Sequence, residues 1–279
     1  MCELLGMSSD LPATLNLSLA TLATHGGPPT SIRDGWGVAY YEGSDVRLIK
    51  DAGPVSDSDW LGFLREHDLR SHIVMAHIRK ATMGQRAYWN AQPFARELVG
   101  KMHLFAHNGW LPGILGSARF QSGRYFRVGE TDSEQAFCAL LDRMADIWRQ
   151  PGEIPPLAAR LAIVSSFADE LRNLGPANFL YSDGDALFAH GDRRKQTATG
   201  SIAPPGLYML QNWCRQTASG LEASGVSVKD ANQTVTIVAS VPLTADAWSP
   251  FSEGEVLAIS KGAVVLRNAA SAPGAAGPE

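Results

Sequence analysis

The chain has 279 residues, a net charge of −4, and 45% hydrophobic and 19% charged residues. This composition is that of an ordinary globular protein. The basic residues are spread along the chain without forming a run, which argues against nucleic acid or an anionic membrane as the main partner and favours a small-molecule substrate. Three cysteines without CxxC spacing indicate neither a disulfide framework nor a zinc knuckle. With no signal-like or long apolar segment in the sequence, we expect a cytoplasmic protein that does not enter a membrane.

The first half of the chain predicts a mixture of helices and strands. Periodic leucines in residues 10–24 predict an amphipathic helix, and residues 34–50 predict a hairpin of two strands. A Ser/Asp-rich start predicts a helix over residues 56–70. Two short apolar runs, residues 72–77 and 103–107, predict buried strands that each end in a polar loop.

The second half begins with helices and then turns to strands. Residues 131–134 have the spacing of a capping box, which predicts a helix over residues 136–148. A second long helix is expected over residues 157–174. Strands are predicted at residues 178–182, 186–190, 207–213, 234–240, 256–260 and 263–267. Residues 192–206 are expected to form an exposed loop. This order of elements predicts an α+β fold of antiparallel sheets sandwiched by helices.

Cys2 is the first candidate for chemistry because of its position behind the initiator methionine. If Met1 is removed, Cys2 carries a thiol nucleophile and a free α-amine on one residue. The unperturbed α-amine has a pKa of about 7.7–8, so part of it is neutral near pH 7 and can accept the thiol proton. The alternative is structural, since a cysteine near a terminus is most often just a small apolar residue in an edge strand.

The Asn108-Gly109 pair is the second candidate. An asparagine amide and a glycine backbone N–H at the end of a strand could together stabilise the oxyanion that forms when a thiol attacks an acyl group. The same dipeptide is also the commonest signal for a plain hairpin turn.

Three further residues could bind the charged ends of a small substrate. Arg79 offers a planar fork suited to a carboxylate, and Thr82 could add a hydroxyl. Asp132 could bind an ammonium group, although an acidic residue in the first turn also complements a helix dipole. A surface arginine is the alternative for Arg79.

The histidines and the other cysteines predict no metal site. His103 and His107 share one face of their strand, but no carboxylate or cysteine lies at a supporting spacing, which favours core histidines. Cys138, on the apolar face of its helix, and Cys214, after a strand, are interpreted as packing residues.

Several motifs behind Cys2 together resemble the class II glutamine amidotransferases. The motifs are His77-Ile78-Arg79-Lys80-Ala81-Thr82-Met83-Gly84, Asn90-Ala91-Gln92-Pro93-Phe94, Ala106-His107-Asn108-Gly109 and Gly129-Glu130-Thr131-Asp132-Ser133-Glu134. The likeness is greatest to their stand-alone bacterial branch, the YafJ-like proteins, and takes in nearly the whole chain except its end. It implies the N-terminal-nucleophile (Ntn-hydrolase) fold, a four-layer αββα sandwich, as a single domain over residues 2–268. The Ala/Gly/Pro-rich residues 269–279 are expected to be disordered.

The resemblance also implies an activity and a role for each candidate residue. Cys2 would attack the side-chain amide carbon of glutamine, form a γ-glutamyl thioester and release ammonia, without a cofactor. Asn108 and Gly109 would hold the oxyanion. Arg79 and Thr82 would bind the α-carboxylate of the substrate, and Asp132 its α-ammonium group.

Departures from the family pattern leave alternatives open. Met83 and Gln92 stand where relatives have histidine, so we expect the substrate-side wall to differ. Because little length remains for a synthase, a separate partner synthase would consume the ammonia. One alternative is an amidase that acts on a γ-glutamyl peptide or metabolite by the same chemistry. Another is a non-catalytic glutamine-binding or scaffold subunit.

Overall fold

The computed structural model describes residues 2–14, 34–55, 58–67, 69–214, 221–223, 226–228 and 233–268. In chain order the strands are β1 (Glu3–Thr14), β2 (Trp36–Glu42), β3 (Asp45–Asp51), β4 (Arg70–Ile78), β5 (Phe94–Leu98), β6 (Lys101–Gly109), β7 (Ala177–Ser182), β8 (Leu187–Gly191), β9 (Arg194–Lys195), β10 (Ile202–Ala203), β11 (Tyr208–Cys214), β12 (Leu221–Ala223), β13 (Val226–Val228), β14 (Gln233–Ala239), β15 (Ser249–Pro250), β16 (Glu255–Ser260) and β17 (Ala263–Asn268). The α-helices are α1 (Trp60–Glu66), α2 (Asp132–Met144) and α3 (Leu157–Arg172), and short 3-10 turns lie at Tyr88–Asn90, Ile114–Gly116 and Ala118–Phe120. In this part of the chain, no helix is both long and apolar enough to cross a membrane.

Most strands belong to two antiparallel sheets. The first has seven strands in the order β15-β11-β14-β1-β4-β2-β3, and the second has six in the order β17-β16-β8-β7-β6-β5. Two small ribbons, β9 with β10 and β12 with β13, complete the strand pairing. Strand β1, which follows Cys2, therefore lies in the interior of the larger sheet, between β14 and β4.

Alternation of side chains along the strands builds three apolar layers. Leu4 and Met75 of the first sheet meet Leu104 and Ala106 of the second sheet in the layer between them. The opposite face of the six-stranded sheet packs against α2 and α3, with Phe105 in that layer. In the described residues, side chains of α1 and of loops on the same side of the sheet cover the opposite face of the seven-stranded sheet. The fold is thus α+β, an αββα sandwich of two antiparallel sheets.

The structure confirms most of the predicted elements. The hairpin of residues 34–50, the buried strands of residues 72–77 and 103–107, and the helix of residues 157–174 are present within a few residues of their expected bounds. The strands predicted in the second half of the chain are all present. The predicted tail, residues 269–279, lies outside the described residues.

The predicted helix over residues 10–24 is wrong for its first part. Residues up to Thr14 belong to β1, where Ala13 and Thr14 pair with Ser71 and Arg70 of β4. Pro12 lies in the interval where the pairing is interrupted, which is where a strand tolerates a residue without an N–H donor. The rest of that prediction falls on residues that the structure does not describe.

The boundaries of two other helices also differ from the prediction. Helix α1 ends at Glu66 because residue 70 already begins β4. Helix α2 begins at Asp132 and ends at Met144, several residues earlier than expected, since Thr131 caps it by accepting a hydrogen bond from the Glu134 N–H. Strand β5 and the strand character of Glu3 to Ser9 were not predicted from the sequence.

The expected exposed loop over residues 192–206 is instead a short ribbon. Strands β9 and β10 pair through Arg194 with Ala203 and through Lys195 with Ile202. Arg194 is buried, with 5% of its surface exposed. Only part of this segment faces solvent.

Arg160 holds α3 onto the turn between β7 and β8 and allows a stability test. Its guanidinium donates to the carboxylates of Asp183 and Asp185, each at 2.7 Å, and Asp183 is completely buried. The substitution Arg160→Met leaves that carboxylate without its partner, so we expect a loss of about 3–5 kcal/mol in the free energy of unfolding. Urea denaturation measures it.

The control is Arg119→Met, which removes an exposed arginine from its ion pair with Glu170, while Glu170 keeps its second partner Arg143. We expect this substitution to change the unfolding free energy little, because the Arg119 charge is screened by solvent and Glu170 remains paired with Arg143. Equal losses in the two variants would contradict the role given to Arg160.

Candidate active site

The pairing of β1 with β4 brings Cys2 next to the loop that follows β4. The strands are antiparallel, and Glu3 pairs with Ile78, so the residue before Glu3 faces the residues after Ile78. The Lys80 N–H donates to the Cys2 sulfur at 3.1 Å, and the sulfur lies 3.2 Å from the Lys80 carbonyl oxygen. The thiol is half-buried.

Strand periodicity brings Asn108 to the same place from the other sheet. Leu104 and Ala106 point into the layer between the sheets, and Asn108 shares their face of β6 because side chains alternate. On the opposing sheet, Leu4 also points into this layer. Cys2 lies two residues before Leu4 and therefore shares its face. The Asn108 side-chain amide donates to the Cys2 carbonyl oxygen at 2.7 Å. The two predicted catalytic residues therefore meet at the end of the intersheet layer.

Gly109 ends β6 under tight steric constraint. A side-chain carbon at this position would lie 1.9 Å from the Pro176 carbonyl oxygen and 2.6 Å from His107 Nε2, so only glycine fits. The Trp110 N–H donates to that same carbonyl on the β7 side, at 3.2 Å. Since neighbouring N–H groups alternate in direction, the Gly109 N–H points away from β7. Asn108 and Gly109 are thus strand residues, and the hairpin-turn alternative is wrong.

A cavity of about 320 Å³ opens at this meeting point. Four of the six predicted site residues line it: Cys2, Thr82, Asn108 and Gly109. Cys2 thus stands at the start of an interior strand and on a cavity, which excludes the edge-strand alternative.

Arg79 is predicted to bind a carboxylate, but its guanidinium is engaged with backbone. It donates to the carbonyl oxygens of Asp34, Met83, Gly84 and Gln85 at 2.7–3.1 Å. Only 3% of Arg79 is exposed, and it is absent from the cavity lining. In this arrangement Arg79 shapes the loop that carries Thr82.

Asp132 is likewise buried, and its carboxylate is hydrogen-bonded to backbone N–H groups. One carboxylate oxygen accepts the Leu111 N–H at 2.9 Å, and the other accepts the Ser133 N–H at 2.8 Å. Asp132 is the first residue of α2, which packs on the outer face of the six-stranded sheet. It therefore fixes the segment just beyond Gly109 and is not among the residues that line the cavity.

The loops that carry the family-like motifs are tied to one another. Glu130 accepts hydrogen bonds from the Gln85 N–H at 2.9 Å and from the Asn90 side chain at 3.0 Å, and Asn90 in turn accepts the Glu130 N–H. These hydrogen bonds, that from Gln85 foremost, hold the pKa of Glu130 below its ordinary value. Motifs that are far apart in sequence are thus connected by hydrogen bonds in the structure.

Gln92 and Met83 were expected to alter the substrate-side wall, and neither lines the cavity. The Gln92 side chain is buried and pairs with the backbone of His107, accepting its N–H at 2.6 Å and donating to its carbonyl at 3.3 Å. Gln92 therefore stabilises the end of β6 without lining the cavity.

The buried histidines belong to the core. His103 contacts the Tyr181 hydroxyl at 2.7 Å, and burial lowers its pKa to about 4. His107 contacts the Ser133 hydroxyl at 2.9 Å, and burial lowers its pKa as well. Cys138 is buried on α2, as predicted, while the side chain of Cys214 lies outside the description. Among the described residues, no group of three or more His, Cys, Asp and Glu side chains could hold a metal.

One wall of the cavity consists of residues that were not predicted from the sequence. Lys80 and Trp110 line it beside predicted residues, and Asn178 and the β9–β10 ribbon form the opposite side. The Asn178 amide donates to the Asn108 carbonyl at 3.2 Å and to the Arg193 carbonyl at 2.8 Å. The sequence signal available for this wall was the three adjacent basic residues Arg193, Arg194 and Lys195, which lie in the segment expected to be an exposed loop.

Comparison with known proteins gives a consistent picture. A family model described as "Glutamine amidotransferases class-II" matches residues 1–277. The Escherichia coli (strain K12) protein named "Putative glutamine amidotransferase YafJ" is 37% identical over 257 residues, which are 91% of this chain and 96% of that protein.

Two solved structures are similar as well. A crystal structure titled as a "predicted glutamine amidotransferase" from Pseudomonas aeruginosa PA01 is 32% identical, with a TM-score of 0.65 over 95% of this chain and 100% of that one. The glutamine phosphoribosylpyrophosphate amidotransferase of B. subtilis, at 16% identity, has a TM-score of 0.58 over 97% of this chain and 49% of its own. At that identity the second likeness concerns the fold alone.

The environment of Cys2 predicts a characteristic pH dependence of its reactivity. Burial raises the pKa of the Cys2 thiol, opposed by the Lys80 N–H. Because only the thiolate is nucleophilic, we expect alkylation by iodoacetamide to be slow at pH 7 in chains that retain Met1 and to accelerate above the ordinary thiol pKa. Mass spectrometry of the Cys2 peptide measures the rate, with buried Cys138 as the unreactive internal control. Rapid alkylation at pH 7 in those chains would contradict this environment.

Proposed function

The chain belongs to the class II glutamine amidotransferases, and from this premise we propose that it hydrolyses the side-chain amide of glutamine through a γ-glutamyl thioester on Cys2. The observation that carries the proposal is the position of the Cys2 thiol on a cavity that Asn108 and Gly109 also line. The thiol is held there by the backbone of Lys80. A nucleophile and candidate oxyanion donors on one cavity are what acyl transfer requires.

The proposed reaction begins after Met1 is removed. The α-amine of Cys2 accepts the thiol proton, and the sulfur attacks the amide carbon of glutamine. The C–N bond then breaks, ammonia leaves with a proton, and a thioester remains on Cys2. Water hydrolyses the thioester to glutamate and restores the thiol. Because the reaction needs a free thiol, we place it in the reducing cytoplasm.

Asn108 and Gly109 are the proposed oxyanion donors. The Asn108 amide has two N–H groups, and its contact with the Cys2 carbonyl oxygen, at 2.7 Å, uses one of them. The second is directed near Ser240 Oγ at 3.4 Å, a distance long enough for an oxyanion to compete. The Gly109 N–H points away from β7 and would supply the other hydrogen bond.

Arg79, Thr82 and Asp132 are the proposed contacts for the amino-acid end of glutamine. Thr82 is exposed on the cavity, so its hydroxyl is available. Arg79 and Asp132 would each exchange a backbone partner for a substrate group, the α-carboxylate and the α-ammonium respectively. The Arg79 partners Met83 and Gly84 lie on the same loop as Arg79 and Thr82, and this loop is the element that such an exchange would move.

Two related proposals concern what lies beyond glutamine. A separate synthase would consume the ammonia. A γ-glutamyl peptide or metabolite could replace glutamine in the same chemistry, since the cavity extends past Cys2 to Asn178 and the β9–β10 ribbon. A non-catalytic glutamine-binding or scaffold subunit is the remaining alternative, and it predicts binding without turnover.

Ammonia release from glutamine tests the proposal directly. We expect Cys2→Ala to abolish release in the chain that lacks Met1, because the variant has no nucleophile. We expect Asn108→Ala to lower kcat by about 10²–10³-fold, the usual effect of losing one oxyanion donor. A coupled glutamate assay measures both effects.

Cys138→Ala is the matched control, since it removes a buried thiol on α2 that does not line the cavity. We expect it to retain glutaminase activity. Turnover that survives Cys2→Ala, or folded wild-type chain lacking Met1 that binds glutamine without hydrolysing it, would overturn the proposal.

A further inference from the structure

Two opposite charges are buried beside the nucleophile. Glu3 directly follows Cys2 in the chain and is completely buried, and Arg194 is buried on the β9–β10 ribbon. The Arg194 guanidinium donates to one oxygen of the Glu3 carboxylate at 3.1 Å. Arg194 also lines the cavity at Cys2. Neither charge takes part in the proposed reaction, although removing two charges from water is costly.

Ser240 fixes this pair to the first residues of β1. A second nitrogen of the Arg194 guanidinium donates to the Ser240 carbonyl oxygen. The Ser240 N–H donates to the Leu4 carbonyl oxygen at 3.1 Å, and the Leu4 N–H donates to Ser240 Oγ at 2.9 Å. Arg194 therefore contacts both Glu3 and the residue that is hydrogen-bonded to Leu4, so its charge has a fixed place relative to Cys2.

The charges of the pair lie close enough to act on Cys2. Since consecutive Cα atoms are about 3.8 Å apart, the Glu3 carboxylate lies within roughly 8 Å of the Cys2 α-amine, about one Debye length at physiological salt. Burial weakens the screening further. Burial is also the main cause that raises the pKa of the Cys2 thiol, and the Glu3 charge adds to this increase. An ammonium on Cys2 would likewise respond to both charges.

Resting on the proposed function, we propose that Glu3 and Arg194 are positioning residues whose opposite charges offset each other at Cys2, so that its α-amine can act as a base near pH 7. Glu3 alone would stabilise the protonated amine, which cannot accept the thiol proton. Arg194 alone would keep the amine neutral but make it a weaker base. With both charges present, the proton affinity of the amine stays near its ordinary value.

Other charged groups surround Cys2 from neighbouring elements. They are Asp34 before β2, Arg79 and Lys80 after β4, and Arg193 and Lys195 on either side of Arg194. On β4 and β6, His77 and His107 are neutral near pH 7, because burial lowers the pKa of each. All of these groups stay unchanged when only the pair is substituted, so the effect of the pair can be measured separately.

The pH dependence of glutamine hydrolysis tests the pair. In the chain lacking Met1, the acid limb of the kcat/KM profile reports deprotonation of the base in the free enzyme. Glu3→Gln leaves the Arg194 charge uncompensated and disfavours the protonated amine, so we expect the limb to move about one pH unit lower. Arg194→Gln leaves the Glu3 charge uncompensated, so we expect a shift of similar size to higher pH. The double variant carries neither charge, and we expect its limb to return close to the wild-type position.

Opposite shifts distinguish a charge effect from a loss of packing. A smaller fraction of active chain lowers kcat/KM at every pH but leaves the position of the acid limb unchanged. Glu255→Gln is the matched control, since it also removes a buried carboxylate that pairs with an arginine, Arg267. Glu255 lies on β16 and does not line the cavity, so we expect the wild-type limb.

Each other outcome has a distinct meaning. An unmoved limb in a folded single variant, shifts of both single variants in one direction, or a double variant that does not return to the wild-type position overturns this inference. Hydrolysis by the wild-type chain leaves the proposed function intact in each case. Circular dichroism checks folding, and where one single variant does not fold, the other and the double variant decide. If folded wild-type chain lacking Met1 does not hydrolyse glutamine, the proposed function fails and this inference fails with it.

Discussion

The antiparallel pairing of β1 with β4 is the constraint on which the candidate site depends. Because Glu3 pairs with Ile78, the residue before β1 must meet the loop after β4, and Cys2 is held against the Lys80 backbone. The stacking of the second sheet then sets Asn108 over the same point. A shift of one residue in either register would turn Cys2 or Asn108 to the opposite face of its sheet. The site therefore requires the packed layer of apolar side chains between the sheets.

Much of this arrangement could be predicted from the sequence, but for different reasons in different places. Strands such as residues 103–107 are short apolar runs, so local composition identifies them. The helix expected over residues 10–24 fails in its first part because pairing with β4 outweighs the leucine periodicity. Residues that line the cavity could be predicted when they belong to one of the recognised motifs, as Thr82 does. The Arg194–Lys195 ribbon was not found, because its burial depends on contacts with Glu3 across the fold.

The positions of Arg79 and Asp132 show a limit of transferring roles from motifs. Both residues stand where the family pattern places them in the sequence. In the structure each is buried and bonded to backbone, Arg79 around its own loop and Asp132 at the Leu111 N–H. A spacing pattern predicts which elements meet, but the direction of a side chain also depends on the hydrogen-bonding groups that surround it. Both residues thus stabilise the loops next to the cavity in the arrangement described.

The central claim is that Cys2, as the mature N-terminal residue, is the nucleophile that attacks a glutamine side chain. The most direct measurement is the intact mass of the purified chain before and after treatment with 6-diazo-5-oxo-norleucine, a glutamine analogue that alkylates such thiols, followed by peptide mapping. The account predicts a chain that lacks Met1 and gains one adduct, located on Cys2. A chain that lacks Met1 and gains no adduct on Cys2 would contradict it.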